Sequence, residues 1–300
     1  MKHFPGPVTG AILTALLLAA CSEIPDGVDD PDIKGPTNLR AFSADTAIVL
    51  FWTPSPDEAW PNFDKYRITI RNKSTGETSG RDVPKTSRSM RIGGLTNGIR
   101  YAIVMHGVTT AGKKSIDSAA IEWSPASRVI RDILGKPITV YATTSEHAGG
   151  LDLDADSGRA EIVALSSVAF RSRAEFFVQT AHFAAPLEIC SPDLWYSNPG
   201  AVTEFSTVPP IDSDVLDAGA ATSSPPAATY TLKTVTIEDG FRDKGRIYFG
   251  RVTRGTEKYY FRLLVKRSPA GGLIHGSGPD RYLEVEASFQ TVPHVPYAKP

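Results

Sequence analysis

Short runs of alternating apolar and polar residues, separated by turn residues, recur along this sequence from Thr37 onward. Ile48, Leu50 and Trp52 stand two positions apart in one run, and a second run over residues 66–70 has the same spacing. A period of two places one set of side chains on the inner face of a β-sheet. Because no long stretch has helical periodicity, we predict an all-β chain in which a first sandwich is followed by a second β-rich domain.

Several motifs between residues 36 and 130 follow the order typical of one kind of sandwich. Asn97-Gly98 supplies a turn shortly before Tyr101, whose hydroxyl can bond back to the upstream backbone as in a tyrosine corner. With its companion motifs, this segment resembles a fibronectin type III domain. The resemblance implies a seven-stranded, immunoglobulin-like sandwich that serves for adhesion, spacing or partner binding and not for catalysis. The companion motifs are Pro36-Thr37-Asn38-Leu39, Trp52-Thr53-Pro54-Ser55-Pro56-Asp57, Phe63-Asp64-Lys65-Tyr66-Arg67-Ile68 and Ser124-Pro125-Ala126-Ser127.

Residues 1–20 predict a secretory signal peptide. The apolar run from Val8 to Ala20 is shorter than the roughly 18 residues that a membrane-spanning helix needs. Leu18-Ala19-Ala20-Cys21 resembles the lipobox of bacterial lipoproteins. That resemblance implies cleavage before Cys21, acylation of its thiol and a stable lipid anchor in the cell envelope. Because Ser22 follows the cysteine where an Asp would resemble an inner-membrane retention signal, we expect the outer membrane.

Residues 21–35 predict an acidic tether between this anchor and the sandwich at 36–130. The segment lacks the apolar residues needed for a packed core and contains proline and glycine, so we expect it to be solvated. Its acidic residues are Glu23, Asp26, Asp29, Asp30 and Asp32.

Residues 136–300 contain further β-type runs and predict the second β-rich domain. Within it, residues 201–229 have no Lys or Arg and two Pro-Pro pairs, so we predict a long exposed loop there. The domain resembles the C-terminal β domains of bacterial surface lipoproteins, some of them haem-scavenging haemophores of the Bacteroidetes. The similarity involves Gly150-Leu151-Asp152-Leu153-Asp154, the strands around Tyr248 and Tyr260, and Phe289-Gln290-Thr291-Val292-Pro293.

Composition argues against a nucleic-acid partner and against an intrachain disulfide. The chain has 32 Lys and Arg against 33 Asp and Glu, a net charge of −1, which argues against nucleic-acid binding. Once Cys21 is acylated, Cys190 is the remaining cysteine, so no intrachain disulfide is expected. We predict that Cys190 is a buried small apolar residue.

Trp60 is a candidate ligand-binding residue. An exposed Trp in the loop of residues 57–62 could anchor a protein or a sugar. The alternative is that Trp60, beside Pro61 and Phe63, covers one end of its own sandwich.

Asp152, Asp154 and Asp156 are candidate calcium ligands. They occupy the alternate positions that begin an EF-hand-like loop, where hard oxygen atoms suit a hard cation. The glycine of that loop falls one place late, and the twelfth position is Val163 in place of a glutamate. The alternative is therefore a solvated acidic turn without a cofactor.

A haem site would need a suitable pair of ligands, and the spacing of the histidines predicts none. They are His147, His182, His275 and His294.

The sequence assigns no catalytic residue. Glu284 and Glu286 share one strand face with Tyr282, which is the pattern of a solvent-facing side. We therefore predict a membrane-anchored, non-enzymatic lipoprotein that binds or presents a protein, glycan or small ligand. The alternatives are a glycan-active enzyme that carries the sandwich as an accessory module, and a haem-type capture protein.

Overall fold

The described part of the chain is built from twenty β-strands and three single-turn 3-10 helices. The computed structural model describes residues 32–129, 136–153, 160–167, 172–182, 184–197, 199–217, 223–238 and 240–298. The prediction of an all-β chain is confirmed. In order, the strands are β1 (Thr37–Ala44), β2 (Ala47–Thr53), β3 (Phe63–Asn72), β4 (Thr78–Pro84), β5 (Ser89–Gly93), β6 (Tyr101–Thr109), β7 (Ala119–Trp123), β8 (Ser127–Val129), β9 (Ile138–Tyr141), β10 (Gly149–Asp152), β11 (Glu161–Ala164), β12 (Phe176–Gln179), β13 (Leu187–Cys190), β14 (Val202–Ser206), β15 (Ile211–Asp212), β16 (Tyr230–Leu232), β17 (Thr234–Ile237), β18 (Arg246–Arg254), β19 (Glu257–Val265) and β20 (Tyr282–Phe289). The helices are Pro192–Leu194, Ala227–Thr229 and Gly278–Asp280.

Strands β1 to β7 form a two-sheet sandwich, here called the N-terminal sandwich. One sheet has the order β1-β2-β5 and the other β4-β3-β6-β7. The inward set of β2, Ile48, Leu50 and Trp52, is buried as the alternation predicts. The tyrosine corner is also confirmed, because the Thr96 amide donates to the Tyr101 hydroxyl at 3.0 Å.

The sandwich begins earlier than residue 36. Ile33 is 1% exposed and belongs to the same apolar core as Phe63. The Lys34 amide donates to the Asp57 carboxylate at 2.7 Å, and the Ile116 amide donates to the Ile33 carbonyl at 3.3 Å. The prediction of a solvated tether up to residue 35 is therefore wrong for its last residues, because Ile33 supplies the apolar side chain that closes this end of the core. Residues 21–31 lie outside the described residues.

The other strands form the C-terminal region, which starts at β8. A five-stranded sheet has the order β11-β10-β12-β13-β17, and a larger sheet runs β16-β14-β18-β19-β20-β8 with β15 on β18 and β9 on β20. A parallel bridge between Ala142 and Val178 connects β9 with β12. The apolar core of the region lies between these sheets.

Part of the predicted long loop at 201–229 is a strand within the larger sheet. Strand β14 pairs with β18 on one side and with β16 on the other. Phe205 is 1% exposed, and its ring lies 5.8 Å from that of Phe261 and 6.5 Å from that of Phe176. The prediction of a continuous loop is wrong for residues 202–206, because the burial of one aromatic side chain outweighs a proline-rich, acidic context.

The C-terminal tail returns to the N-terminal sandwich. The Ser43 amide on β1 donates to the Tyr297 carbonyl at 2.7 Å, and Phe42 forms an antiparallel bridge with Ala298. Val295 is 4% exposed and packs within the core of the sandwich. The tail therefore extends the sheet of β1 and fills part of a core whose other members precede it by more than 170 positions.

Arg262 on β19 lies where the tail, the sandwich and the C-terminal region meet. Its side chain is fully buried, and its guanidinium carbon is 4.4 Å from the centroid of the Phe42 ring and 4.7 Å from that of Tyr297. Its Nη1 donates to the Leu216 carbonyl at 2.9 Å and its Nη2 to the Asp217 carboxylate at 2.8 Å. Burial lowers the pKa of Arg262 below its ordinary value.

Gln290 adds a second polar connection at this place. Its Nε2 donates to the Ser124 carbonyl at 2.9 Å and to the Ser43 hydroxyl at 3.2 Å. The indole Nε1 of Trp123 donates to the same hydroxyl at 3.0 Å. We call the contacts of Arg262, Gln290 and the tail with the sandwich the junction. Because these hydrogen bonds are buried and cross from one part of the chain to the other, the junction joins the two parts with defined geometry.

No helix among the described residues combines the length and apolar character that a membrane crossing requires.

Candidate functional site

Four rings form a continuous row on one face of β9 and β20, here called the aromatic row. The ring centroids of His147 and Tyr141 are 5.3 Å apart, those of Tyr141 and Tyr282 are 5.1 Å apart, and those of Tyr282 and His275 are 5.2 Å apart. The last pair is stacked, with 26° between the ring planes. His147 is exposed, the tyrosines are half-buried and His275 is buried, so the row descends from solvent towards the protein.

Strand pairing explains why the two tyrosines meet. β9 and β20 are antiparallel, and their register places Tyr141 opposite Tyr282 and Thr139 opposite Glu284. Ile138 and the other alternate residues of β9 point into the apolar core. Because side chains alternate between faces, Tyr141 and Thr139 must share the face away from that core.

A hairpin with a glycine turn positions His275. Its amide donates to the Tyr282 carbonyl at 2.9 Å, and the Tyr282 amide donates back at 3.0 Å. Gly276 has a φ of +73°, and a Cβ there would lie 2.2 Å from the Asp280 carbonyl oxygen. Only glycine fits this turn without strain, so the turn that stacks His275 on Tyr282 depends on Gly276.

The loop that carries His147 is tied to the opposite turn. The Ser145 hydroxyl donates to the Asp280 carboxylate at 2.7 Å, and the Thr144 hydroxyl donates to the Pro279 carbonyl at 2.9 Å. A shallow depression of about 240 Å³ opens beside this loop. It is lined by Thr139, Tyr141, His147 and Ile162.

Of the two regions predicted to contact ligands, the structure describes the loop of Trp60 in full. Trp60 is 42% exposed, and its amide donates to the Asp57 carbonyl at 2.9 Å within a turn. The exposed part of the indole is accessible to a partner, and its role in binding stays a prediction. Cys21 lies outside the described residues.

The predicted calcium ligands are described only at Asp152. This carboxylate is 2% exposed and accepts from the Arg173 Nε at 2.8 Å. Asp154 and Asp156 lie outside the described residues. Within the described ranges, no group of three or more His, Cys, Asp or Glu side chains has the arrangement of a metal site. Calcium binding therefore stays a prediction.

The structure brings His147 and His275 into one row and leaves His182 and His294 outside it. Two tyrosine rings stand between the first pair. A single ligand lying along the aromatic row would contact the tyrosine rings before it contacted both imidazoles.

The glutamates of β20 have different surroundings. Glu286 is 7% exposed, accepts from the Arg128 Nη2 at 2.7 Å and lies 3.4 Å from the Lys266 Nζ. Glu284 has a side chain that is 34% exposed, with the His275 Nδ1 4.0 Å from its Oε1. The prediction of a solvent-facing side is wrong at Glu286, because the Arg128 side chain from β8 and the Lys266 side chain cover that end of the face.

Cys190 is buried, as expected for a small apolar residue. Burial raises the pKa of its thiol to about 11, so the thiol remains protonated at neutral pH.

Comparison with known families matches the first of the two parts of the chain. Residues 34–122 are a fibronectin type III domain. The match begins two positions before the predicted start at 36 and ends near the last residue of β7. A search of curated proteins found no match to this chain.

Three solved structures are similar to about a third of this chain. The FN5 domain of Drosophila Lar is 21% identical over 31% of this chain and 96% of its own, with a TM-score of 0.26. The FN3 domain of human collagen XX has the same identity, the same coverages and a TM-score of 0.26. The Clostridium perfringens spore cortex lytic enzyme SleM is 14% identical over 31% of this chain and 28% of its own, with a TM-score of 0.25.

Sequence reasoning missed the aromatic row. The sequence predicts a solvent side for Tyr282 and gives no role to Tyr141, and only the pairing of β9 with β20 reveals that the two rings touch. The available signal was a tyrosine at an outward position in each of two predicted strands.

Proposed function

We propose that the chain is a lipid-anchored, non-catalytic binding protein in which the fibronectin type III domain is a spacer and the C-terminal region carries the ligand surface. The observation that carries this proposal is the junction. Arg262, Gln290 and the C-terminal tail hold the C-terminal region against the domain through buried hydrogen bonds. A spacer works best when it holds the binding surface in a fixed orientation, because binding then costs less conformational entropy.

The proposed anchor is an acyl group on Cys21. The string Leu18-Ala19-Ala20-Cys21 supports it, and the acidic segment that follows would separate the folded part from the lipid surface. Ser22 supports the outer membrane as the destination. The balanced charge of the chain supports a protein, glycan or small-molecule partner rather than a nucleic acid.

The experiment compares two cysteine substitutions in the native bacterial host. We expect the unaltered chain to sediment with membranes and the Cys21→Ala variant to move to the soluble fraction, because the variant lacks the acylated thiol. Cys190→Ala is the matched control and should stay with the membranes. Membrane sedimentation of Cys21→Ala equal to that of the unaltered chain would contradict the anchor.

A further inference from the structure

We propose that the aromatic row, together with Thr139 and Glu284 beside it, binds a neutral carbohydrate chain. The inference rests on the proposed function in that it assigns a ligand class to the C-terminal region.

Three hydroxyl groups on this face have no hydrogen-bond partner among the described residues, whereas the His275 ring lies 4.0 Å from the Glu284 carboxylate and 3.4 Å from the Lys266 carbonyl. Among the described residues, no hydrogen bond joins the Tyr141 hydroxyl, the Tyr282 hydroxyl or the Thr139 hydroxyl to another protein group. By contrast, the Tyr66 and Tyr101 hydroxyls of the fibronectin type III domain both accept from backbone amides. The three residues are half-buried, and their hydroxyls are not among the buried polar atoms, so these hydroxyls face solvent and are open to a ligand.

The arrangement of apolar and polar groups fits a sugar ring. A pyranose has a face of C–H groups and a rim of hydroxyls. The faces of the Tyr141 and Tyr282 rings carry partial negative charge, so they attract such C–H groups and provide apolar contact area. Thr139 and Glu284 lie two residues further along the two strands on the same face, and they offer a hydroxyl and a carboxylate to the hydroxyl rim.

The charges near the row favour a neutral ligand over an anionic one. The Lys266 Nζ faces Glu286, and the Arg281 Nη2 donates to the Thr180 hydroxyl at 2.9 Å and to the His182 carbonyl at 3.0 Å. Both cationic groups are therefore engaged with protein atoms. The carboxylate of Glu284 accepts hydrogen bonds from hydroxyls and repels phosphate, sulfate or uronate groups.

The shape of the surface favours a chain over an enclosed monomer. The depression beside Tyr141 measures about 240 Å³ and is shallow, whereas pockets that enclose a small molecule usually measure roughly 300 to 1,000 Å³. The row continues past this depression over Tyr282. An extended oligosaccharide could therefore lie across β9 and β20 and contact both tyrosines. The bonds of Ser145 and Thr144 hold the adjoining loop in place before a ligand arrives.

The experiment is isothermal titration of the full-length protein in detergent micelles with neutral hexasaccharides. The probes are cellohexaose, chitohexaose, xylohexaose and mannohexaose. We expect at least one to bind, and we expect Tyr282→Ala to weaken that binding about tenfold because it removes one ring contact. Trp195→Ala is the matched control, since Trp195 is 55% exposed and packs on Phe177 in another sheet. It should bind as the unaltered protein does.

A second variant protects the test against misfolding of Tyr282→Ala. Glu284→Gln keeps the side-chain volume and removes the charge, so we expect about fivefold weaker binding with an unchanged thermal midpoint. Absence of heat with all four hexasaccharides would overturn the proposal. So would unchanged affinity in both variants, or tighter binding of choline chloride or of a galacturonate hexamer that Tyr282→Ala abolishes. The membrane fractionation of Cys21→Ala is independent of these titrations, so failure of one proposal is distinguishable from failure of the other.

Discussion

Arg262 is a charged side chain with no exposed surface, and its guanidinium depends on partners from three segments of the chain. Asp217 supplies the opposite charge, and the carbonyls of Leu216 and Ser43 accept further hydrogen bonds. Burial of an ion pair gains little over an apolar pair of the same shape, but removal of one partner leaves the others desolvated and unbonded. Arg262 therefore stabilises the structure mainly by donating hydrogen bonds to acceptors that would otherwise be buried without a partner.

Arg262→Met tests this dependence with little change of volume. We expect the free energy of unfolding in urea to fall by roughly 3 kcal/mol, because Asp217 and two buried carbonyls lose their donor. Arg246→Met is the control. Arg246 pairs with Asp212, whose side chain is 62% exposed, so the loss there should stay below about 1 kcal/mol. Equal losses in the two variants would show that Arg262 acts only as an apolar spacer.

Single residues were predictable where local periodicity decides their position. Leu283 and Val285 alternate with polar residues, and both are buried as that pattern requires. Glu286 has the same local pattern as Glu284 and yet is buried, because Arg128 from a distant strand covers it. The sequence around Glu286 contains no trace of that partner.

At the scale of elements, β18 and β19 form the longest ladder of the C-terminal region, and its centre depends on a glycine. Gly250 lies opposite Phe261, whose ring covers the glycine backbone. A Cβ at position 250 would lie 2.0 Å from the Cζ of that ring. The Phe261 ring is in turn held by Phe176 and Phe205, so it has little room to move.

Gly250→Ala should therefore destabilise the protein through overpacking. We expect a loss of about 1 to 3 kcal/mol, measured as a lower midpoint of urea unfolding. Gly240→Ala is the matched control, because a Cβ at Gly240 would meet no atom within 4 Å. A thermal scan of both variants gives an independent measure. A Gly250→Ala midpoint equal to that of Gly240→Ala would mean that the Phe261 ring moves aside at no cost.

Elements were predictable in proportion to how strongly their own residues mark them. The residues of β20 alternate over the whole length of the strand, and the sequence already placed Tyr282, Glu284 and Glu286 on one face of a strand. β14 was missed because prolines lie on both sides of it and Phe205 is its one large buried apolar residue. Pairing between β9 and β20, which creates the aromatic row, joins residues more than 140 positions apart and has no local signal.

At the scale of the whole molecule, the junction makes the fibronectin type III domain and the C-terminal region depend on each other. Val295 completes the core of the domain, and Ser43 of the domain bonds to Arg262, Gln290 and the Tyr297 carbonyl. The sequence predicted two β parts and could not predict this connection. The tail follows the last strand without a marked pattern of its own. Local sequence patterns therefore do not show which core its apolar residues join.

Mutual dependence predicts cooperative unfolding of the two parts. We expect urea unfolding of the unaltered chain to give one transition by both tryptophan fluorescence and circular dichroism, because the shared core and buried hydrogen bonds break together. In a variant with Gln290→Ala and Tyr297→Ala, the two parts should separate into two transitions, since the variant loses the Gln290 amide bonds and the ring beside Arg262. Trp195→Ala is the control. Trp195 is exposed and takes no part in the junction, so this variant should keep the single transition. Two transitions already present in the unaltered chain would contradict the coupling, and they would mean that the C-terminal region moves independently of the spacer that we propose holds it.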